Sequence, residues 1–288
     1  ILRFYREAGA LLRDPGPGPS LGEYLEANRY SALFRDAHLI PMASALWSSP
    51  SATILDFPAK YLVRFMDHHR MLQVDDRPQW RVVEGGSSSY IDALKARWSV
   101  EVRLACPVQR DEAGVTVKHI AGEDRFDAIV IATHSDQALA LLGDADALER
   151  EVLGAMPYQR NEVVLHTDRR ILPTRRKAWA AWNAFVPADP GAECSVSYCM
   201  NLLQGLESPE PFVVTLNRTA AIDPAKIIAT MNYQHPVYTH ASVAAQSRAG
   251  EINGRRKTWF AGAYWGFGFH EDGMRAGVEA AAGLGVRW

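Results

Sequence analysis

The sequence predicts an α/β protein of two domains whose segments interleave along the chain. Three observations carry that expectation. Residues 1 to 70 show the apolar spacing of amphipathic helices. The unbroken run Ala128-Ile129-Val130-Ile131-Ala132 has the composition of a parallel strand buried on both faces. Residues 156 to 249 alternate short strand patterns with turn residues, as one antiparallel sheet would. The order helical, α/β, sheet, α/β then assigns residues 80–155 and 250–288 to one domain and residues 1–79 and 156–249 to the other.

The first helix is expected over residues 1 to 13, ended by Asp14-Pro15-Gly16-Pro17-Gly18-Pro19. Because Ile1 leads straight into an apolar pattern, the chain reads as a fragment or a processed product. Ser20 with Glu23 makes a capping box for a helix through about Asn28. Further helical pattern runs from Ala32 to about Trp47, interrupted at Pro41, and from about Pro58 to His68. A strand over Trp80 to Glu84 is expected to turn at Gly85-Gly86 into a helix containing Tyr90, Ile91, Leu94 and Trp98. Strands follow at Val100–Leu104, Gly114–Ile120 and Phe126–Ala132, then a helix from Ser135 to Leu142. The later strands fall at Glu162–Thr167, Ala178–Val186, Ser195–Met200, Phe212–Leu216 and Thr258–Ala261, and a last helix runs from Asp272 to about Ala282.

Composition narrows the function. The chain has 288 residues, 48% hydrophobic and 22% charged, with 31 basic against 33 acidic side chains and a net charge of -2. That balance gives no chain-wide field for nucleic acid or an anionic membrane. No apolar run reaches the roughly 18 residues of a membrane span. Three cysteines (Cys106, Cys194, Cys199) are few and odd in number, which favours a reduced, cytoplasmic chain over a Cys194–Cys199 disulfide. Nine histidines show no H-x-x-x-H spacing, and no C-x-x-C occurs, so no metal site is expected. There is no G-x-S-x-G, so Ser87 to Ser89 read as helix caps rather than nucleophiles.

The most informative string is Trp259-Phe260-Ala261-Gly262-Ala263-Tyr264-Trp265-Gly266-Phe267-Gly268-Phe269-His270-Glu271-Asp272-Gly273-Met274. A buried strand ends at Gly262, a glycine-rich turn lets another backbone or a ligand approach, and a helix begins near Asp272. The N–H groups at such a helix start, with the positive end of its dipole, suit an anion or a carbonyl. The same residues also fit a plain strand–loop–helix corner in which Glu271 and Asp272 only offset the dipole. Gly273 and Gly277 share a helix face, where missing side chains would permit close approach.

This string resembles the C-terminal FAD motif of flavin-containing amine oxidases, protoporphyrinogen oxidases and phytoene-type desaturases. The positions that match are Gly262, Ala263 and Phe269 to Met274, namely Phe269, His270, Glu271, Asp272, Gly273 and Met274. The residue after Ala261-Gly262 is usually acidic in those families and is Ala263 here. The stretch Val102-Arg103-Leu104 through Val108, then Gly114 to Val117, then Phe126 to Thr133 resembles a second FAD segment. There the resemblance implies that Val108 meets the adenine through its backbone and that Ala132 and Thr133 lie near the cofactor.

Further strings narrow the likeness. Arg77-Pro78-Gln79-Trp80, Ala132-Thr133-His134, Asn161-Glu162, Val164-Leu165-His166-Thr167-Asp168 and Met200-Asn201 resemble a bacterial group of NAD/FAD-binding proteins often encoded beside, or fused to, cyclopropane-fatty-acid synthases. The resemblance implies an FAD-binding Rossmann-like domain interleaved with an α+β substrate domain, of amine oxidase type. It implies an FAD-dependent oxidoreductase that removes hydride from a C–H bond of a small molecule or a lipid, and a lipid leaves peripheral membrane contact open. Tyr198, Tyr264 and Trp265 either line the substrate cavity or pack a core, and His270 either moves a proton or is a solvated loop residue. The group opens with a G-x-G-x-x-G turn that no string here matches, so the Rossmann-like domain is expected to be incomplete, its N-terminal part absent. Two alternatives stand beside this: a truncated, non-catalytic remnant, and an amine oxidase in the narrow sense.

Overall fold

At Ser20 local chemistry alone starts a helix. Its hydroxyl accepts from Glu23 N (3.3 Å) while the Glu23 carboxylate accepts from Ser20 N (2.8 Å), as the capping box requires. The computed structural model describes residues 1–47, 49, 51–110, 115–187 and 194–286, and not the side chains of Ser51 and Ala52. In chain order the first helices are α1 (Leu2–Glu7), α2 (Leu21–Ala27), α3 (Ala32–Phe34), α4 (Ile40–Trp47), α5 (Ser51–Leu55), α6 (Ala59–His68) and α7 (Ser88–Lys95). Then come β1 (Val108–Arg110), β2 (Thr116–His119), β3 (Gly122–Arg125), β4 (Ile129–Ile131), α8 (Ser135–Leu141) and α9 (Ala147–Gly154). The strand-rich part holds β5 (Tyr158–His166), β6 (Trp182–Phe185), β7 (Ser195–Cys199), α10 (Met200–Gln204), β8 (Val213–Leu216) and β9 (Ile227–Pro236). The chain closes with α11 (His240–Gln246), α12 (Ala249–Ile252), β10 (Thr258–Phe260) and α13 (His270–Gly283).

Contacts divide the chain into two units, Ile1–Val100 with Gln159–His235, and Glu101–Tyr158 with Pro236–Trp288. These seams differ from the expected ones at residues 79/80 and 249/250. Residues 80–100 fall in the first unit, where Trp80 stacks on His69 with ring centroids 6.0 Å apart. Residues 236–249 fall in the second, where Ala245 is buried in the core formed with Val152 and Leu153 of α9.

The first unit packs α1–α6 and carries a five-stranded sheet in the order β6-β7-β8-β5-β9. Strands β6, β7, β8 and β5 pair antiparallel, as the turn-separated pattern predicts. Phe4, Tyr24, Tyr30 and Phe34 form an aromatic cluster between the early helices, with Phe4 and Phe34 centroids at 5.4 Å. Pro41 follows a π-helical turn over Arg35–Leu39 that runs without a break from α3 into α4, so the irregular turn falls where proline removes an N–H from the helix.

The second unit has an antiparallel sheet β1-β2-β3 and a parallel pair β10-β4. Ile131, Leu142, Val152, Leu153, Met156 and Phe260 form its core. Arg110, 2% exposed, organises the polar side of that core. Its guanidinium grips Glu149 at 2.8 and 2.9 Å, Asp144 at 2.8 Å and Thr258 Oγ1 at 3.0 Å, and Arg256 also pairs with Asp144.

Several expectations need correction. Residues 80–84 and 100–104 form no strand; Val102 is 60% and Leu104 86% exposed, and without a partner ladder an extended segment gains nothing from β geometry. The apolar run at 128–132 is not buried on both faces, since β4 pairs only with β10 among the described residues and Val130 is 39% exposed. Gly114, the expected start of the middle strand, lies outside the described residues.

Candidate functional site

The two stretches with cofactor-like patterns meet in the second unit. Strands β4 and β10 run parallel with Ile129 opposite Thr258 and Ile131 opposite Phe260. Ala261 N continues the ladder to Ile131 O at 3.0 Å, so Ala132-Thr133 and Ala261-Gly262 leave the sheet side by side. In open α/β sheets ligands bind outside such carboxyl ends. A Cβ on Gly262 would lie 3.2 Å from Thr133 O and would collide with the Tyr264 ring, so only glycine fits this crossing.

From Gly262 the chain makes a single 3-10 turn, Ala263–Trp265, and reaches α13 through a loop held by five side-chain hydrogen bonds. Trp265 Nε1 donates to Phe260 O (2.9 Å), and Gln246 Nε2 donates to Tyr264 O (2.9 Å) and Gly266 O (2.7 Å). Asp272, 5% exposed, turns its carboxylate back toward the loop, accepting from Phe267 N (2.9 Å) and Phe269 N (3.1 Å). Its other oxygen takes Arg275 at 2.6 Å. Gly268, at φ +91°, adopts a conformation that favours glycine, and a Cβ there would meet Tyr238 Oη at 2.7 Å.

Two buried hydroxyls at this corner lack hydrogen-bond partners among the described residues. Tyr264 is 3% exposed, and burial pushes its phenol far above the ordinary range. Ser135 is fully buried; its N–H donates to Tyr158 Oη at 3.0 Å, but its own Oγ has no partner. Tyr158 is also raised by burial, and its ring stacks on His134 at 4.6 Å. A buried hydroxyl without a partner is costly, so each needs an explanation. An arriving polar ligand would supply one.

The expected site residues divide as follows. Ala132, Thr133, Gly262, Ala263, Phe269, His270, Glu271, Asp272, Gly273 and Met274 belong to the parallel corner or the first turns of α13. Ala132, His270, Glu271 and Met274 are exposed, and a Cβ on Gly273 would make only ordinary contact with Ala263, at 3.9 Å. Gly277 faces open space, so no close approach explains it. Trp265 packs against the core with Tyr264, ring centroids 4.8 Å apart. Val108 stands in the other sheet of this unit, opposite His119 and 36% exposed. Tyr198 lies in the first unit on β7, its ring edge-on to Trp182 at 5.6 Å and its hydroxyl donating to Ala45 O at 3.4 Å. Sequence reasoning passed over Ser135, Tyr158 and Gln246. Only the adjacency of Ser135 to Thr133 could have drawn attention to any of them.

A strand–loop–helix corner of this kind, fed by two parallel strands, is an α/β arrangement. Solved structures share that fold along nearly the whole chain. A variant of putrescine oxidase redesigned for cofactor binding superposes with a TM-score of 0.67 at 13% identity, covering 98% of this chain and 74% of that one. A candidate protoporphyrinogen oxidase from Exiguobacterium sp. 255-15 gives 0.62 at 14% identity, covering 98% and 72%. A fatty acid isomerase from P. acnes that produces CLA gives 0.57 at 16% identity, covering 99% and 76%. At these identities the likeness is one of fold. No protein-family model matches the sequence, and no curated protein does.

Proposed function

We propose that this chain belongs to an FAD-dependent oxidoreductase acting on a C–H bond of an organic substrate, a lipid or fatty-acyl group by the company of the group it resembles. The observation that carries the reading is the β4–β10 crossing, which sets Thr133 against Gly262 at the head of the loop that leads to α13. These are the two segments that the resemblance assigns to the cofactor. The fold shared with an oxidase redesigned for cofactor binding and with a fatty acid isomerase supports it.

The residues present fit the group at its polar, flavin-proximal end. Glycine at 262 leaves a cradle that a side chain would fill. The first turn of α13 stands at the positive end of a 14-residue helix, which suits a hydrogen-bond acceptor. The unpartnered Tyr264 and Ser135 hydroxyls are donors waiting for an acceptor. No string of the G-x-G-x-x-G kind occurs in these 288 residues, so pyrophosphate contacts of that type are not theirs to make.

The bound flavin would supply the hydride acceptor, and the protein supplies position and electrostatics. Ala132, Thr133, Gly262 and Ala263 would present backbone to the cofactor, with Val108 reserved for the adenine. Asp272 would act through the loop, because its carboxylate already holds Phe267 and Phe269 in place. Trp265 would face substrate, and the exposed imidazole of His270 would take part in proton transfer.

Titration of the purified chain with FAD, followed by flavin fluorescence and the visible band, tests this. Binding is expected, and Tyr264→Phe should weaken it by about 1 kcal/mol, roughly fivefold in Kd. A colourless protein whose melting and spectrum ignore FAD would favour the remnant reading. The likeness to putrescine oxidase gives the narrow amine oxidase reading its support, and peroxide release with amines but not with lipids would select it.

A further inference from the structure

Charge summed over the whole chain hides a local concentration. Between Asp168 and Asp189 no acidic residue occurs, while Arg169, Arg170, Arg175, Arg176 and Lys177 all do. All five are exposed. Arg170 is engaged by Asp168 at 2.6 Å, but Arg169, Arg175, Arg176 and Lys177 have no ion-pair partner among the described residues. The segment is not a loose tail. Ile171 and Leu172 are buried against Val164, Cys199 and Val213, and Trp179 Nε1 donates to Pro173 O at 2.7 Å.

The same segment leads into β6, an edge strand of the five-stranded sheet. There Trp182 is 39%, Phe185 40% and Val186 44% exposed. Successive side chains of a strand point to opposite faces, so Trp182 and Phe185 flank the edge on either side. Guanidinium groups lie over the nearby rings, Arg176 at 5.5 Å from Trp179 and Arg218 at 3.4 Å from Phe185.

Cations alone on an edge strand would be read as protection against edge-to-edge pairing. Exposed aromatics on that edge work against such protection, so the combination asks for another reason. Tryptophan and phenylalanine beside arginine and lysine are what settles at the headgroup level of an anionic bilayer, rings toward the acyl boundary and cations on the phosphates. We propose that the Arg169–Lys177 segment and the edge of β6 form a docking surface for an anionic phospholipid membrane, entered edge-first by Trp182 and Phe185. The proposal goes beyond the flavin reading and stands without it. No helix among the described residues is long and apolar enough to cross a membrane, so attachment by this surface would be peripheral.

Co-sedimentation of the full chain with vesicles tests the surface directly, with no cofactor added. Vesicles of phosphatidylcholine containing a third phosphatidylserine should bind it, pure phosphatidylcholine should not, and binding should fall as salt rises. Each Lys or Arg near such a surface is worth about a factor of five, so Arg175→Gln/Arg176→Gln/Lys177→Gln should weaken partitioning by roughly 100-fold. Arg6→Gln/Arg13→Gln, which removes two exposed cations elsewhere in the same unit, should leave it unchanged. Trp182→Ala should lower binding while keeping its salt dependence, and circular dichroism reports whether each variant is folded. Equal binding to neutral vesicles, no binding at all, or equal loss in both charge variants overturns the proposal. So does double-stranded DNA binding as tightly as the anionic vesicles, which would mark a general polyanion surface.

Discussion

A methyl group added at Gly266 would come far inside van der Waals contact with Asp272 Oδ1, and that carboxylate cannot easily step aside because Phe267 N, Phe269 N and Arg275 hold it. Gly266→Ala should therefore cost about 1–3 kcal/mol in urea unfolding, the usual range for forcing an atom into filled space. Asp272→Ala alone should cost about 1 kcal/mol, as loss of a cap does. In the double variant the two costs should fall well short of adding, because the second change removes what the first collides with. Additive costs would show that the glycine and the carboxylate are not one clip. The sequence Glu271-Asp272-Gly273 was legible as the start of a helix with ligand-binding potential. What it could not show is that Asp272 faces backward, since that depends on the path of a loop that Gly268 bends at positive φ.

At the scale of elements, the parallel crossing depends on β10 arriving in register, and Arg110 ties β10 to β1 and α9. One guanidinium spans β1, the turn after α8, α9 and Thr258 of β10. Arg110→Met leaves two buried carboxylates with only Arg256 to answer them, and should cost about 3–5 kcal/mol by equilibrium unfolding. Arg110→Lys should recover only part of this, because an ammonium cannot reproduce the bidentate fork. A cost under about 1 kcal/mol for Arg110→Met would show that the network is incidental. None of this was visible in the sequence, where Arg110 stands 34 residues before Asp144 and 39 before Glu149 and shares no motif with them. The helix α9 could have been found, since Asp146 and Glu149 form a capping box like that of Ser20 and Glu23. Strand β9 was harder: its ten residues are half-buried or exposed throughout, so apolar side chains such as Ile227, Ile228 and Ala229 fall on both faces and blur the period of two. The strands that were legible, β7 and β8 among them, are those with a continuous buried face.

The two units should answer acid differently, because the groups that titrate away from their ordinary values differ between them. In the first unit burial lowers His166 and His38 below the ordinary 6.5. His166 is fully buried with both nitrogens committed, Nδ1 accepting from Asp168 N (3.0 Å) and Nε2 meeting Thr215 Oγ1 (2.8 Å), which in turn meets Ser197. Asp168, the charged neighbour that favours its protonation, is itself held far below the carboxylate range by Arg170. His38 feels the positive charges of the Ile1 amine and Arg77 besides its burial. For a histidine depressed in the folded state, the unfolded chain binds the proton first. Its contribution is then full above about 6.5 and declines as pH falls below that value. In the second unit the depressed groups are carboxylates: Asp124, bonded by Arg103; Asp146, capping α9; and Glu151, bonded by Arg248. Their contribution persists above their ordinary values of 3.8 and 4.5 and is lost only as pH falls through and below them. Scanning calorimetry from pH 7.5 to 3.5 should therefore show one transition moving down first, beginning near pH 6.5, while a second holds until about pH 4.5. His166→Gln/His38→Gln should start less stable at neutral pH and flatten the early decline, because no imidazole remains there to take up a proton. If wild type and variant decline in parallel between pH 7 and 5, the buried histidines are not what makes the helical and sheet unit acid-sensitive.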